Sequence, residues 1–152
     1  MPDFTLLFFI PLLFFVTFPL LWIGVSGILS LVGGWALLAE RFSAKQPETG
    51  TDFRFASALL KKSGMLPVTY RGSLFFTINR NGVSIAILFL FRFFSPPLFI
   101  PWSAIRSIDE QRHLFGSYGV INIRECPVKI LVPGAAGCAL LAEYARVHDS
   151  DT

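Results

Sequence analysis

The chain has 152 residues, of which 53% are hydrophobic and 15% charged, with a net charge of +3; an average soluble chain carries about a quarter charged residues. Two Cys and two His exclude a disulfide framework and leave little for catalytic metal chemistry. The mean hydropathy of +0.61 excludes a disordered tail, and the totals point to a membrane-attached protein with one compact domain and one accessory segment.

From Phe4 to Ala39 there is no charged residue. As a helix that run would extend about 54 Å, whereas about 20 residues cross a bilayer core. A secretory signal peptide fits poorly, because Met1-Pro2-Asp3 offers no basic residue and the apolar stretch is too long. The pattern predicts one transmembrane helix from Thr5 to Leu31, loosening at Gly33-Gly34. A short interfacial helix follows to Phe42, with Trp35, Leu38, Ala39 and Phe42 on its apolar face. A tight helical hairpin turning at Gly24-Val25-Ser26-Gly27 is the alternative, but its second arm is too short for a full crossing. Arg41, Lys45, Arg54, Lys61 and Lys62 follow the span, so the positive-inside rule predicts a single-pass cell-membrane protein with a cytoplasmic C-terminal domain. Cys126 and Cys138 then stay reduced.

Residues 1–42 thus form the membrane segment and residues 43–52 a polar, turn-rich linker. Residues 53–148 form a domain with its own core, and 149–152 a tail. Within the domain, Phe53 to Leu60 and Met65 to Tyr70 read as strands, the second broken by Pro67. Leu74 to Arg80 and Val83 to Phe91 are β-rich runs joined by Asn81-Gly82. That dipeptide predicts a hairpin with a type I′ turn and positive φ at both residues. Leu98 to Trp102 is a short strand ending at a proline, and Ala104 to Leu114 another with Ile105 and Ile108 buried. Gly119 to Glu125 alternates, Pro127 breaks it, and Val128 to Val132 resumes. Ala135 to His148 reads as a capping helix, with Cys138, Leu141, Ala145 and His148 on one face and Leu140 and Tyr144 beside it. The fold class is mainly β: about seven antiparallel strands in a split barrel or sandwich, closed by one C-terminal helix and preceded by a transmembrane helix.

Ile100-Pro101-Trp102-Ser103-Ala104-Ile105 carries a Pro-Trp-x-x-Ile pattern. With the strands around it, Asn79 to Ile108 resembles the middle of bacterial pleckstrin-homology-like (PH-like) and GRAM-like domains. The layout over residues 33 to 148 is similar to small uncharacterised bacterial membrane proteins with one N-terminal span. The resemblance implies a PH-like fold and no particular activity. Read physically, Pro101 ends a strand at a sheet corner, Trp102 covers the open core edge and Ile105 starts the next strand inward. That structural role is the better reading of Trp102 than a ligand contact.

Between Phe53 and Ile108 there are seven basic residues and no acid, whereas from Asp109 onward six acids outweigh four bases. A basic half tethered beside a membrane is drawn to anionic headgroups; the competing reading is solvated charge scattered over both strand faces. Basic residues of the first strand–strand loop grip phosphates in lipid-binding PH domains. The resemblance therefore implies Lys61 and Lys62 as headgroup contacts, with Arg71 just beyond. Arg92, among the Phe-rich residues, joins them as a candidate. Nucleic acid is not an expected partner, since the aromatics are not interleaved with Arg and Lys. Asp109-Glu110-x-x-His113 lacks a helix and a second copy, and Cys126, Cys138, His113 and His148 lack ligand-pair spacing. No catalytic, cofactor or metal site is expected. The function implied is a membrane-anchored, non-catalytic module docking on anionic lipid headgroups or a protein partner. The alternative is an accessory or assembly subunit of a larger membrane complex, packing through the small residues of its span; the oligomeric state stays open.

Overall fold

A computed structural model of the chain describes residues 4–45, 49–114 and 116–149. Helix α1 runs from Phe4 to Gly33 and accommodates Pro11 and Pro19. It stops at Gly34, whose φ of 82° is a left-handed conformation that side chains with a Cβ resist. A Cβ there would also stand 2.7 Å from Val128. Helix α2, Trp35–Phe42, follows directly.

Seven strands form one antiparallel, curled half-barrel sheet: β1 Thr51–Lys62, β2 Val68–Ile78, β3 Gly82–Ile87, β4 Leu98–Pro101, β5 Ile105–His113, β6 Gly116–Ile123 and β7 Val128–Pro133. Their order is β4-β3-β2-β1-β7-β6-β5, and helix α3, Gly134–Asp149, packs on β6, β7 and β5. The expected fold class is therefore the one observed: an apolar N-terminal helix, seven antiparallel strands and a closing C-terminal helix. Alternation drives it. Leu74, Phe76 and Ile78 of β2 and Val83, Ile85 and Ile87 of β3 all point into the core, as do Ile121 and Ile123 of β6 and Val128, Ile130 and Val132 of β7. Trp102 sits at the corner between β4 and β5 and is almost fully buried. Its indole N–H donates to the Asn79 carbonyl at 3.0 Å and its backbone N–H to the Asn81 carbonyl, so it fastens β5 to the β2–β3 hairpin.

Five local expectations are corrected. The Met65–Tyr70 and Leu74–Arg80 runs are one strand, β2, bent past irregular pairing between Phe53 and Ala58 of β1, while Met65–Pro67 lie in the turn before it. The β2–β3 hairpin exists, but neither Asn81 nor Gly82 has positive φ. The turn is centred one residue earlier, on Arg80-Asn81, and the Asn79 side chain accepts from the N–H groups of Asn81 and Gly82 at 2.9 Å each. Asn at the first and Gly at the fourth position is the type I preference. Gly82 is required for space instead: a Cβ would lie 2.3 Å from the Ile100 carbonyl oxygen. Third, β3 ends at Ile87, and Phe89–Phe94 form a 3-10 turn. The β-branched residues stop at Ile87, and the last bond toward β2 is Leu88 N–H to Ser73 O. Fourth, α3 buries Ala136, Gly137 and Leu140, while Cys138, Ala145 and His148 face outward. Fifth, the α2 face assigned to the membrane interface lies in the domain core: Trp35 and Leu38 are fully buried, with Ala39 and Phe42 packed beside them. The curled sheet leaves that end of its core open, and α2 closes it.

Candidate membrane-facing site

Among the described residues, α1 before Trp22 packs on no other element. Leu6 to Leu21 is exposed on every side, and Thr5–Gly33 is long and apolar enough to cross a membrane. About 20 residues, the number that crosses a bilayer core, run from Phe4 to the neighbourhood of Trp22 and Ile23. From there the helix gains a partner. The Trp22 indole N–H donates to the Leu90 carbonyl at 3.2 Å, and its ring lies 5.1 Å from that of Phe91. Two turns further on, the buried Ser30 hydroxyl donates to the Phe94 carbonyl at 2.6 Å. A Cβ at Gly27 would meet the Phe94 ring at 3.4 Å. The Trp35 indole then donates to the Pro96 carbonyl at 3.0 Å. The 3-10 turn, left with unpaired carbonyls because it belongs to no sheet, thus has three of its orphan acceptors in and just beyond the turn met by donors from α1 and α2.

Clamping one side of the turn leaves the other bare. Phe89 and Phe93 are 70% and 72% exposed, with Leu90 and Phe94 about half exposed beside them. Four large apolar side chains at one tip exceed the isolated exposed residues normal on a soluble surface.

The order of contacts along α1 sets relative heights. Trp22 meets Leu90 and Phe91, Leu29 shares a cleft with Arg71 and Phe91, Gly33 abuts Val68, and Gly34 abuts Val128 and the Lys62 side chain. From Trp22 to Gly34 the axis rises about 18 Å. Arg92 therefore stands at the low end with the exposed aromatics, Arg71 in the middle and Lys61-Lys62 at the high end. All four expected headgroup contacts lie on the flank of the domain that meets α1. The acid-free stretch as a whole does not form one face: Arg80 sits in the β2–β3 turn at the far end of the β1–β2 ladder, near Glu143 and Arg146.

One basic residue lay beyond the reach of sequence reasoning. Lys129 of β7 is directly opposite Lys61 of β1 in the ladder, and both are exposed. Side chains so placed have Cβ atoms about 5 Å apart, and like charges there are destabilising unless an anion intervenes. Only the β1–β7 pairing, between the first and last strands, reveals it. The β1–β2 turn beyond Lys62 adds exposed Met65 and Leu66. Next to this patch Tyr70 is buried, its hydroxyl without a partner among the described residues, and burial pushes its pKa up to about 12. Among the described residues no group of three His, Cys, Asp or Glu is placed to hold a metal ion.

Fold and site together define a class of protein: a half-barrel β domain hung from a long apolar helix, with an aromatic tip and a basic flank beside that helix. The chain matches no known family model and none of the curated proteins.

Proposed function

We propose that this protein is a single-pass, membrane-anchored docking module whose PH-like domain rests on the cytoplasmic leaflet through the Phe89–Phe94 tip and a basic flank. The observation that carries the reading is the clamp between α1 and the tip. It holds Phe89 and Phe93 outward at the height where a helix crossing from Phe4 leaves the bilayer core. Aromatic side chains favour that interfacial layer. Arg92 and Arg71 then fall in or just above the headgroup region, where each contributes about 1 kcal/mol on an anionic surface, and a tilt of α1 toward the basic flank lowers Lys61, Lys62 and Lys129 toward it. The excess of Lys and Arg after the span supports the cytoplasmic side. The domain's role is adhesive, and it presents its remaining surface to a partner.

The test is amine acylation of the full chain in nanodiscs, read residue by residue by mass spectrometry. Lys61, Lys62 and Lys129 are expected to be protected in anionic discs relative to zwitterionic ones. The protection should fade with added salt, because headgroup attraction decays over about 8 Å at physiological ionic strength. Equal modification in both discs would remove the lipid-docking reading and favour the protein-partner alternative.

A further inference from the structure

A groove of about 630 Å³ lies over the face of β2 and β3 that points away from the core, within the size range of small-molecule sites. Its lining includes Ala44, Thr49 and Gly50 as well as Leu88, Phe89 and Arg92. Its floor holds two neighbouring hydroxyls, paired in register across the β2–β3 ladder: Thr77 and Ser84. The Thr77 hydroxyl donates to Asp52 at 2.7 Å. Ser84 is 5% exposed, and its hydroxyl is buried with no partner among the described residues, a state that buried polar groups rarely keep. Arg54 and Arg92 also line the groove, and neither makes an ion pair among the described residues. Asp52 lines the groove too, bonded to Thr77, and most of the remaining lining is apolar, including Phe75, Ala86, Leu88 and Phe89. Two guanidiniums with no ion pair among the described residues, against the single Asp52 carboxylate, and an apolar track are the recognition elements for an anionic head on a hydrocarbon tail.

We propose that this groove binds one anionic amphiphile drawn from the adjoining bilayer, its phosphate or carboxylate held by Arg54 and Arg92 and its chain lying along Phe75, Ala86 and Phe89. The groove's own chemistry carries the site; only the source of the ligand rests on the membrane-anchored reading. Phe89 belongs to both the groove and the exposed tip, so the apolar track opens where the tip meets lipid.

The experiment places the full chain in phosphatidylcholine nanodiscs containing a trace of phosphatidic acid with a photoreactive acyl chain, and maps the crosslinked peptides. Crosslinks are expected on residues 75–89 as well as on α1, and an excess of unlabelled lipid should compete away only those on 75–89. Competition by phosphatidic acid but not palmitate assigns a phosphate head, and the reverse a carboxylate; either supports the site. The double variant Arg54→Glu, Arg92→Glu should lower the groove crosslinks about tenfold with α1 labelling unchanged. Ala86→Trp, which fills the track, should abolish them. Absence of groove crosslinks in the unmodified chain, or their persistence in both variants, would overturn the proposal. Groove crosslinks without α1 crosslinks would leave the site standing and overturn the anchoring instead.

Discussion

Ser30, one turn before the end of α1, donates its hydroxyl to the carbonyl of Phe94, which lies 64 residues further along the chain. Ser30 is 1% exposed, so this bond is made where water cannot replace it. It fixes the apolar helix to the aromatic tip, and with Trp22 and Leu90 it makes the two move as one piece.

Removing the donor should loosen that joint. Ser30→Ala leaves a buried carbonyl unpaired, at a cost of about 1–3 kcal/mol. Ser30→Leu adds overpacking against Phe94 and should cost more. Denaturant unfolding of the full chain in detergent, followed by Trp22 and Trp35 fluorescence, would register both; unchanged midpoints would show that the clamp contributes nothing.

Trp35 tests where the domain begins. Its side chain is wholly buried, as is that of Leu38, although both precede the polar stretch 43–52. A fragment starting at residue 43 lacks them, whereas one starting at Gly34 keeps them. Truncation of a buried Trp costs about 3–5 kcal/mol, a large part of a small domain's stability. The shorter fragment should therefore show poor amide-proton dispersion and bind hydrophobic dye, and the longer one should fold cooperatively. Equal folding of the two would contradict the assignment of α2 to the core.

At the β2–β3 hairpin, Gly82→Ala forces a Cβ to within 2.3 Å of the Ile100 oxygen and 2.7 Å of the Pro101 backbone. Backbone atoms cannot rotate away, so a loss of at least about 2 kcal/mol is expected. Asn79→Ala removes the acceptor for two N–H groups and should cost about 1 kcal/mol. A larger penalty at Asn79 than at Gly82 would mean that turn chemistry, and not the approach of β4, is what the glycine serves.

These residues also show how far the sequence could be read. Alternation in β6 and β7, the Asn-Gly region and the uncharged run to Ala39 made the strands, the hairpin and the long helix legible, because each is a local periodic signal. Turn position was not, since Asn79 competes with Asn81 for the same backbone donors. The destination of an apolar face was not legible either. Trp35 and Leu38 have the same spacing whether they meet lipid or β-sheet, and only the open end of the half-barrel decides. Phe89 to Phe91 reads as a continuing strand because aromatic content is shared by strands and exposed tips. Arg92 and Lys62 could be nominated from local charge. Lys129 could not, because its neighbour Lys61 is brought to it by a ladder between the first and last strands.

Depth in the bilayer tests the central claim most directly. In full-length chain with Cys126 and Cys138 replaced by Ser, an environment-sensitive fluorophore is attached at Phe93→Cys or, in a second sample, at Arg112→Cys. Position 112 lies near the β5–β6 turn. That turn is about 20 Å along β6 from the Asn122–Lys129 pair on the basic flank. In nanodiscs carrying lipids with quenchers at the headgroup and partway down the acyl chain, the account predicts strong quenching at 93 by both and none at 112. Equal quenching at the two positions, or quenching of 93 by water-soluble iodide alone, would contradict a domain seated on the membrane by its aromatic tip.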